Sequence, residues 1–298
     1  MLKRENMKIR QQRLPHWLKV PLPAGKNFNE VRKLVNKHQL HTVCQSAHCP
    51  NIGECWAQRT ATFMILGDGC TRNCRFCAVD TGTPSAVDQT EPKRVAEAIK
   101  TLSLKYAVIT SVTRDDLPDG GASIFAEIIY EIRKVVPGCK IEVLIPDLKG
   151  VDDALSIVFK AKPDILNHNI ETVPSLYKQV RPQANYQRSL DVLRKAKQFG
   201  LITKSGLMLG LGEKSNEVIQ VMKDLCKIGC DFLTLGQYLQ PSSDHLPIDR
   251  YFTPEEFLQL KEEGLSLGFE HVEAGPLVRS SYHAAVSFDE FVKNADKG

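Results

Sequence analysis

The sequence predicts an α/β fold, a partial (β/α)6 barrel of the TIM type with an N-terminal extension and a C-terminal tail. Three observations lead there. From about residue 61 to 274, short β-type runs alternate with longer amphipathic segments, the pattern of βα units around a parallel sheet. Six such units suit a barrel, partial or complete, better than an open doubly wound sheet. No strand is followed by a GxGxxG or GxxxxGKS/T loop, which leaves nucleotide binding of the Rossmann or P-loop type unsupported. Cys70, Cys74 and Cys77 stand just after the first strand, at the end of the sheet where barrels of this kind keep their chemistry. The chain divides into an extension (1–60), the barrel (61–275) and a tail (276–298).

The elements follow in order. The extension runs through Pro15, Pro21 and Pro23 into one short helix, FNEVRKLVNKH, and then the first cysteines. Strands are expected at 61–67, 106–112, 140–146, 164–170, 202–209 and 231–237, each a β-rich run. The helix after the first strand has Pro92 in its opening turn and Val95, Ile99 and Leu102 on one face. ASIFAEIIYEIRKVV, VDDALSIVFKA, QRSLDVLRKAKQFG, NEVIQVMKDLCKIG and TPEEFLQLKEEGLSLG repeat that periodicity, several closing on glycine. Beyond Gly275 the tail has few apolar anchors.

Composition narrows the function. The 298 residues hold 39 Lys plus Arg against 35 Asp plus Glu; this balance of +4, with no segregated block, gives no argument for nucleic acid. At 42% apolar and 25% charged the bulk of the chain is globular. No run nears the roughly 18 apolar residues of a membrane span. The start, MLKRENMKIRQQRLPHW, is basic without an apolar centre, so a secretory signal is not read; an organelle-targeting segment stays open. Nine cysteines without an export signal suit the reducing cytoplasm, where thiols more often bind metal or react than form disulfides.

Six of the nine fall in two groups. CTRNCRFC has C-x3-C-x2-C spacing, short enough for a loop to turn three sulfurs onto one soft metal centre. Zinc would want a fourth Cys or His, and none stands at the usual spacing. A four-iron cube on three cysteines would keep one iron open. CQSAHCPNIGEC, holding Cys44, Cys49 and Cys55, is also one ligand short. A zinc knob completed by His41 or His48 is the alternative there. RSSYHA, Arg279–Ala284, stands at the other end of the chain.

The second group, with its place after the first strand and Phe76 before its last cysteine, resembles that of the radical S-adenosylmethionine enzymes. Taken with the first group, with RSSY and with CPNIGECW, TSVTRDDLPDGGA, HNIETVP, LMLGLGE, LTLGQYLQP and GPLVRSSYHA in that order, nearly the whole chain resembles the lipoyl synthases. The resemblance implies two 4Fe-4S clusters, one on Cys70, Cys74 and Cys77, the auxiliary one on Cys44, Cys49, Cys55 and Ser281. It implies S-adenosylmethionine bound at the open iron, and insertion of two sulfur atoms at C6 and C8 of an octanoyl chain on a carrier-protein lysine. Two S-adenosylmethionine molecules would be cleaved and the auxiliary cluster consumed as sulfur donor. The implied partners are octanoylated lipoyl domains of 2-oxoacid dehydrogenases or the glycine-cleavage H protein, an electron donor such as ferredoxin or flavodoxin, and an iron–sulfur carrier. A biotin-synthase-like sulfur inserter, a maturase and a non-catalytic zinc-stabilised module are the rivals.

Further site residues are expected. Arg279 would offset the charge of an anionic thiolate cluster. Gly120 and Gly121 let backbone approach a ligand, as in the Gly-Gly-Glu motif of the radical enzymes, although Ala122 replaces the Glu; two turn glycines are the plainer reading. Asn167, Asn169 and Glu171 alternate onto one face, with His168 and Ile170 on the other. Asn169 and Glu171 are taken as ribose or amine contacts, against a role in satisfying neighbouring backbone. Met208 matches the adenine-side motif or is simply core. Gln237 and Tyr238 are weaker candidates. His41 and His48 could shape the first cysteine pocket. Cys139, Cys226 and Cys230 are read as inert thiols.

Overall fold

The computed structural model describes residues 13–295, so most of the basic start lies outside the described residues. Helices α1 (Lys26–Lys37), α2 (Val43–Ser46) and α3 (Ile52–Ala57), with strand β1 (His41–Thr42), come from the extension. The barrel strands are β2 (Thr62–Ile65), β3 (Tyr106–Ser111), β4 (Lys140–Leu144), β5 (Ile165–Asn167), β6 (Ile202–Leu209), β7 (Phe232–Gln237) and β8 (His271–Gly275). Between them lie α4 (Glu91–Thr101), α5 (Ala122–Val135), α6 (Asp152–Lys160), α7 (Tyr177–Val180), α8 (Tyr186–Gln198), α9 (Ser215–Lys227) and α10 (Pro254–Leu267), and α11 (Ala284–Ala295) follows.

The strands pair in chain order in one sheet. β1 is antiparallel to β2, and every later pair is parallel. Among the described residues no pairing joins β8 back to β1 or β2, so the barrel is open on that side. The apolar runs of β2 to β7 are buried on both faces, as a helix-covered parallel sheet requires. Their outer side chains meet the buried faces of the helices, Val95 and Ile99 of α4, Phe125 and Ile129 of α5, and Met222 of α9. The helix starts are marked locally: Asn185 caps α8 through Arg188 N–H, and Thr253 and Glu256 form a capping box on α10. The extension joins the same core, since Phe28, Val31 and Val35 of α1 pack with Trp56 of α3 and with β2.

Two expectations need correction. A seventh parallel strand, β8, continues the sheet; its polar His271 and Glu273 hide the apolar pattern that marks the others. The tail is also better anchored than its composition suggests. α11 buries Ala284 and Phe288, and Phe288 packs on Ile165 and Phe232 with the Tyr106 ring 5.8 Å away. These residues begin their strands, so α11 plugs the amino end of the barrel.

Above the plug the barrel interior is polar. Glu142 and Lys204 are 0% and 2% exposed and lie 3.2 Å apart. The Asn167 amide and Tyr106 hydroxyl donate to the two Glu142 oxygens at 2.8 and 2.7 Å. A buried ion pair earns its stability only when both partners are kept. Lys204→Met should therefore strand the carboxylate and cost about 3–5 kcal/mol in urea denaturation. A variant within ~1 kcal/mol of the parent would show that Tyr106 and Asn167 alone suffice.

Candidate active site

The chain turns sharply where β2 ends. Leu66 adopts φ +68°, its N–H donates to the Glu91 carboxylate at 2.8 Å, and its carbonyl accepts from Arg114 at 3.2 Å. This turn launches the loop that carries Cys70, Cys74 and Cys77. The buried Arg72 fixes the loop, bonding both Asp115 oxygens at 2.6 and 2.9 Å and Asp147 at 2.7 Å. Thr71 pairs with the Thr113 carbonyl, the Arg75 N–H reaches the Val180 carbonyl, and His245 Nε2 bonds the Cys77 carbonyl at 2.9 Å. Cys70 Sγ accepts from the backbone N–H groups of Thr113 and Arg72 at 3.3 and 3.5 Å.

The three sulfurs face a cavity of about 1490 Å³ at the carboxyl ends of the strands, open to solvent. Cys44 and Cys49 stand on its walls as well. A second cavity, about 770 Å³, lies behind them and takes in Cys55. Cys44, Cys49, Thr62, Arg279 and Ser281 line both and so form the shared wall. Both cysteine groups and the distant RSSY segment therefore meet in one place. Among the described residues no three His, Cys, Asp or Glu side chains converge on a single-ion position.

Burial dominates the electrostatics. It pushes the Cys55 and Cys77 thiols up to about 12, helped by their neighbouring cysteines. These thiols stay protonated at neutral pH until a cation replaces the proton. Burial also raises Cys74, against the pull of the Arg181 guanidinium beside it. Burial lowers Arg279, and Cys49 acts in the opposite sense.

The tail crosses the barrel wall at two glycines. A Cβ on Gly236 would lie 2.0 Å from the Val278 carbonyl oxygen, and one on Gly206 would lie 3.4 Å from Ser280 Oγ. Polar ties secure the segment. Asn51 donates to the Leu277 carbonyl at 2.7 Å, Thr62 to Ser281 Oγ at 2.8 Å, and Tyr282 to Glu54 at 3.2 Å.

The remaining expected residues divide. Asn169, Glu171 and Met208 line the larger cavity, with Asn169 Nδ2 donating to Glu171 at 3.0 Å. Both polar residues lie beyond the end of β5, and Glu171 has φ +68°. Burial raises the Glu171 carboxyl while Arg181 and Asn169 draw it down. Asn167 sits deeper, on Glu142. Gly120 and Gly121 are corrected: neither lines the cavity. Gly121, at φ +91°, leaves room for Leu66, whose Cδ1 would lie 2.2 Å from an added Cβ, and Gly120 faces Leu148. Gly121 thus packs on the turn from which the cysteine loop departs. Gln237 and Tyr238 tie down the loop at 246–252 through Phe252, Arg250 and Leu246. His41 and His48 line neither cavity. Cys139 and Cys230 are buried and Cys226 is half-buried, all away from both cavities. Arg72, Arg181, Thr62 and His245 escaped the sequence reading, because a single polar residue has no spacing to betray it.

The chain is similar to known proteins in sequence and in fold. Residues 64–225 match the radical SAM superfamily, and residues 1–49 match the N-terminal domain of lipoyl synthase of the radical SAM family. The chain is 58% identical to the lipoyl synthase of Rubrobacter xylanophilus, over 94% of this chain and 89% of that one. It is 57% identical to that of Koribacter versatilis, over 91% and 90%. Methylornithine synthase shares the fold at 15% identity and a TM-score of 0.53, over 71% and 70% of the two chains. Streptococcus suis SuiB bound to its precursor peptide does so at 11% identity and 0.56, over 85% and 55%.

His168 reports on the wall between β5 and β6. It is 1% exposed, with Nδ1 on the Ile145 carbonyl at 2.8 Å and Nε2 on Ser189 Oγ at 2.9 Å. Burial, reinforced by the Arg181 charge, lowers its pKa to about 4. The unfolded state, titrating near 6.5, binds the proton first, so this contribution to stability is lost as pH falls from about 6.5 to 4. Urea midpoints at pH 7.5 and 5 should differ more for the parent than for His168→Asn. Equal slopes would show that His168 is not the group responsible.

Proposed function

Because the chain belongs to the lipoyl synthase family of radical S-adenosylmethionine enzymes, we propose that it inserts two sulfur atoms at C6 and C8 of an octanoyl-lysine on a carrier protein. The observation that carries this reading is that both cysteine groups and Ser281 line two adjoining cavities, with Cys44, Cys49 and Ser281 on the wall the cavities share. Cys70, Cys74 and Cys77 would hold one 4Fe-4S cluster; Cys44, Cys49, Cys55 and Ser281 would hold the auxiliary one. The donor set fits, with thiolates for soft iron and one hard oxygen at the wall between the cavities. When bound, these groups with S-adenosylmethionine supply a hydrogen-abstracting deoxyadenosyl radical and the sulfur itself.

The chain's own residues provide placement. Asn169, Glu171 and Met208 line the part of the cavity beside Cys74 and offer polar and apolar contacts to S-adenosylmethionine. Val43, Met64, Val112, Leu144 and Leu207 make much of the remaining wall apolar, suited to a saturated chain and to keeping water from a reactive carbon. Arg279, on the shared wall, sets a positive charge against the thiolates of the first group. Thr62 donates to the Ser281 oxygen and so would stabilise its anionic form as a ligand.

The substrate would be an octanoylated lipoyl domain or glycine-cleavage H protein. Electrons would come from a ferredoxin or flavodoxin, and an iron–sulfur carrier would rebuild the consumed cluster. A reducing compartment such as the cytoplasm suits all three. Among the described residues no helix is long and apolar enough to cross a membrane.

Anaerobic turnover with an octanoyl-lysine peptide, followed by mass spectrometry, tests the reading. A dithiolated product with two deoxyadenosines per lipoyl group is expected from protein holding about eight irons per chain. Unchanged peptide despite that iron content would end it. Ser281→Cys should keep the iron yet form the dithiolated product at least tenfold more slowly, because a thiolate is a softer, more tenacious iron ligand than an alkoxide. Release of both sulfurs at the parental rate would remove Ser281 from the mechanism.

A further inference from the structure

Ser280 has no part in the reading above, although it is held more closely than its neighbours in the tail. Its hydroxyl accepts from Asn169 Nδ2 at 2.6 Å, and the same Nδ2 donates to Glu171 Oε1 at 3.0 Å. Both amide hydrogens are thus committed. The Asn169 backbone is pinned too, its carbonyl accepting from the Arg181 guanidinium at 3.0 Å. Gly206 closes the space behind, since a Cβ there would lie 3.0 Å from Asn169 Oδ1. One atom is left over. Asn169 Oδ1 is buried without a partner, in a side chain that lines the larger cavity. An orphaned buried acceptor is unfavourable, and a ligand's N–H or O–H would satisfy it.

We propose that Ser280 is a positioning residue for the cofactor end of the cavity. It orients the Asn169 carboxamide so that Oδ1 meets a donor of S-adenosylmethionine, its ribose hydroxyl or amine. The inference rests on the reading of that cavity as the S-adenosylmethionine site. Ser280 adjoins Ser281, so the tail that serves the auxiliary cluster also sets the cofactor contact. Moving the tail would free the amide to turn, weakening S-adenosylmethionine binding; bound S-adenosylmethionine would, by reciprocity, hold the tail in place.

The test uses full-length protein with both clusters reconstituted, and three measurements: S-adenosylmethionine affinity by equilibrium dialysis, iron content, and amide hydrogen exchange over residues 168–172 without S-adenosylmethionine. Ser280→Ala should weaken binding about tenfold, keep the parental iron content and speed exchange over 168–172. Asn169→Ala should weaken binding comparably, and the double variant should bind no more weakly than the worse single one. Parental affinity in Ser280→Ala beside weakened binding in Asn169→Ala would overturn the inference and leave the cofactor site standing. Parental affinity in Asn169→Ala would remove that contact and the inference with it, while lipoyl formation, measured separately, would still decide the function. Loss of iron from Ser280→Ala, or additive penalties in the double variant, would overturn it by placing Ser280's role elsewhere.

Discussion

The guanidinium of Arg72 is the constraint on which the group Cys70, Cys74 and Cys77 depends. Three sulfurs must face one cavity from a loop with almost no secondary structure, so few backbone hydrogen bonds hold it in shape. Arg72 compensates by binding Asp115 through two parallel bonds and Asp147 through a third, joining the loops after β2, β3 and β4. The planar fork of an arginine suits this task and an ammonium does not. Asp147, which also meets Arg188, is buried but drawn down to about 2 by Arg72, so the clamp is ionised throughout the neutral range. The backbone ties at Thr71, Arg75 and Cys77 then need only adjust a loop already fixed at its middle.

The group Cys44, Cys49 and Cys55 is organised by a different principle. Here the residues that meet come from opposite ends of the chain, and the barrel wall provides a seat for the tail. Gly206 and Gly236 remove two side chains from strands β6 and β7; the Val278 backbone occupies the space at Gly236, and the Thr234, Asn169 and Ser280 side chains crowd that at Gly206. A groove alone would permit sliding. The bonds from Asn51, Thr62 and Asn169 set the register, placing Ser280 toward β5 and Ser281 toward β2. Packing selects the path and hydrogen bonds select the position along it.

Much of this was legible in the sequence, for identifiable reasons. Strands β2 to β7 are β-rich runs buried on both faces and their helices repeat every three to four residues, so composition and periodicity find them. β8 escaped because it is half-buried and carries His271 and Glu273. α11 escaped because its hold on the barrel rests largely on Ala284 and Phe288. The cysteine groups were visible as spacing, and RSSY as a likeness. The expectation for Gly120 and Gly121 failed because a turn glycine announces a backbone conformation without saying which neighbour fills the vacated volume; here it is Leu66. Asn169 and Glu171, which alternate in the sequence, line one cavity, although β5 ends before both.

The seat at Gly206 and Gly236 also imposes an order in time. The ribosome has made Cys70, Cys74 and Cys77 long before it reaches Ser281, 281 − 77 = 204 residues later. At about 5–20 residues per second that interval is on the order of 10–40 s. Throughout it Cys44, Cys49 and Cys55 stand without Ser281, and Gly206 and Gly236, once made, wait for the tail that is to lie on them. The nascent chain thus passes through a stage at which Cys70, Cys74 and Cys77 are all present while the serine proposed to complete the other group is not. On the proposed ligand set, that other group would be completed only in the last stretch of synthesis.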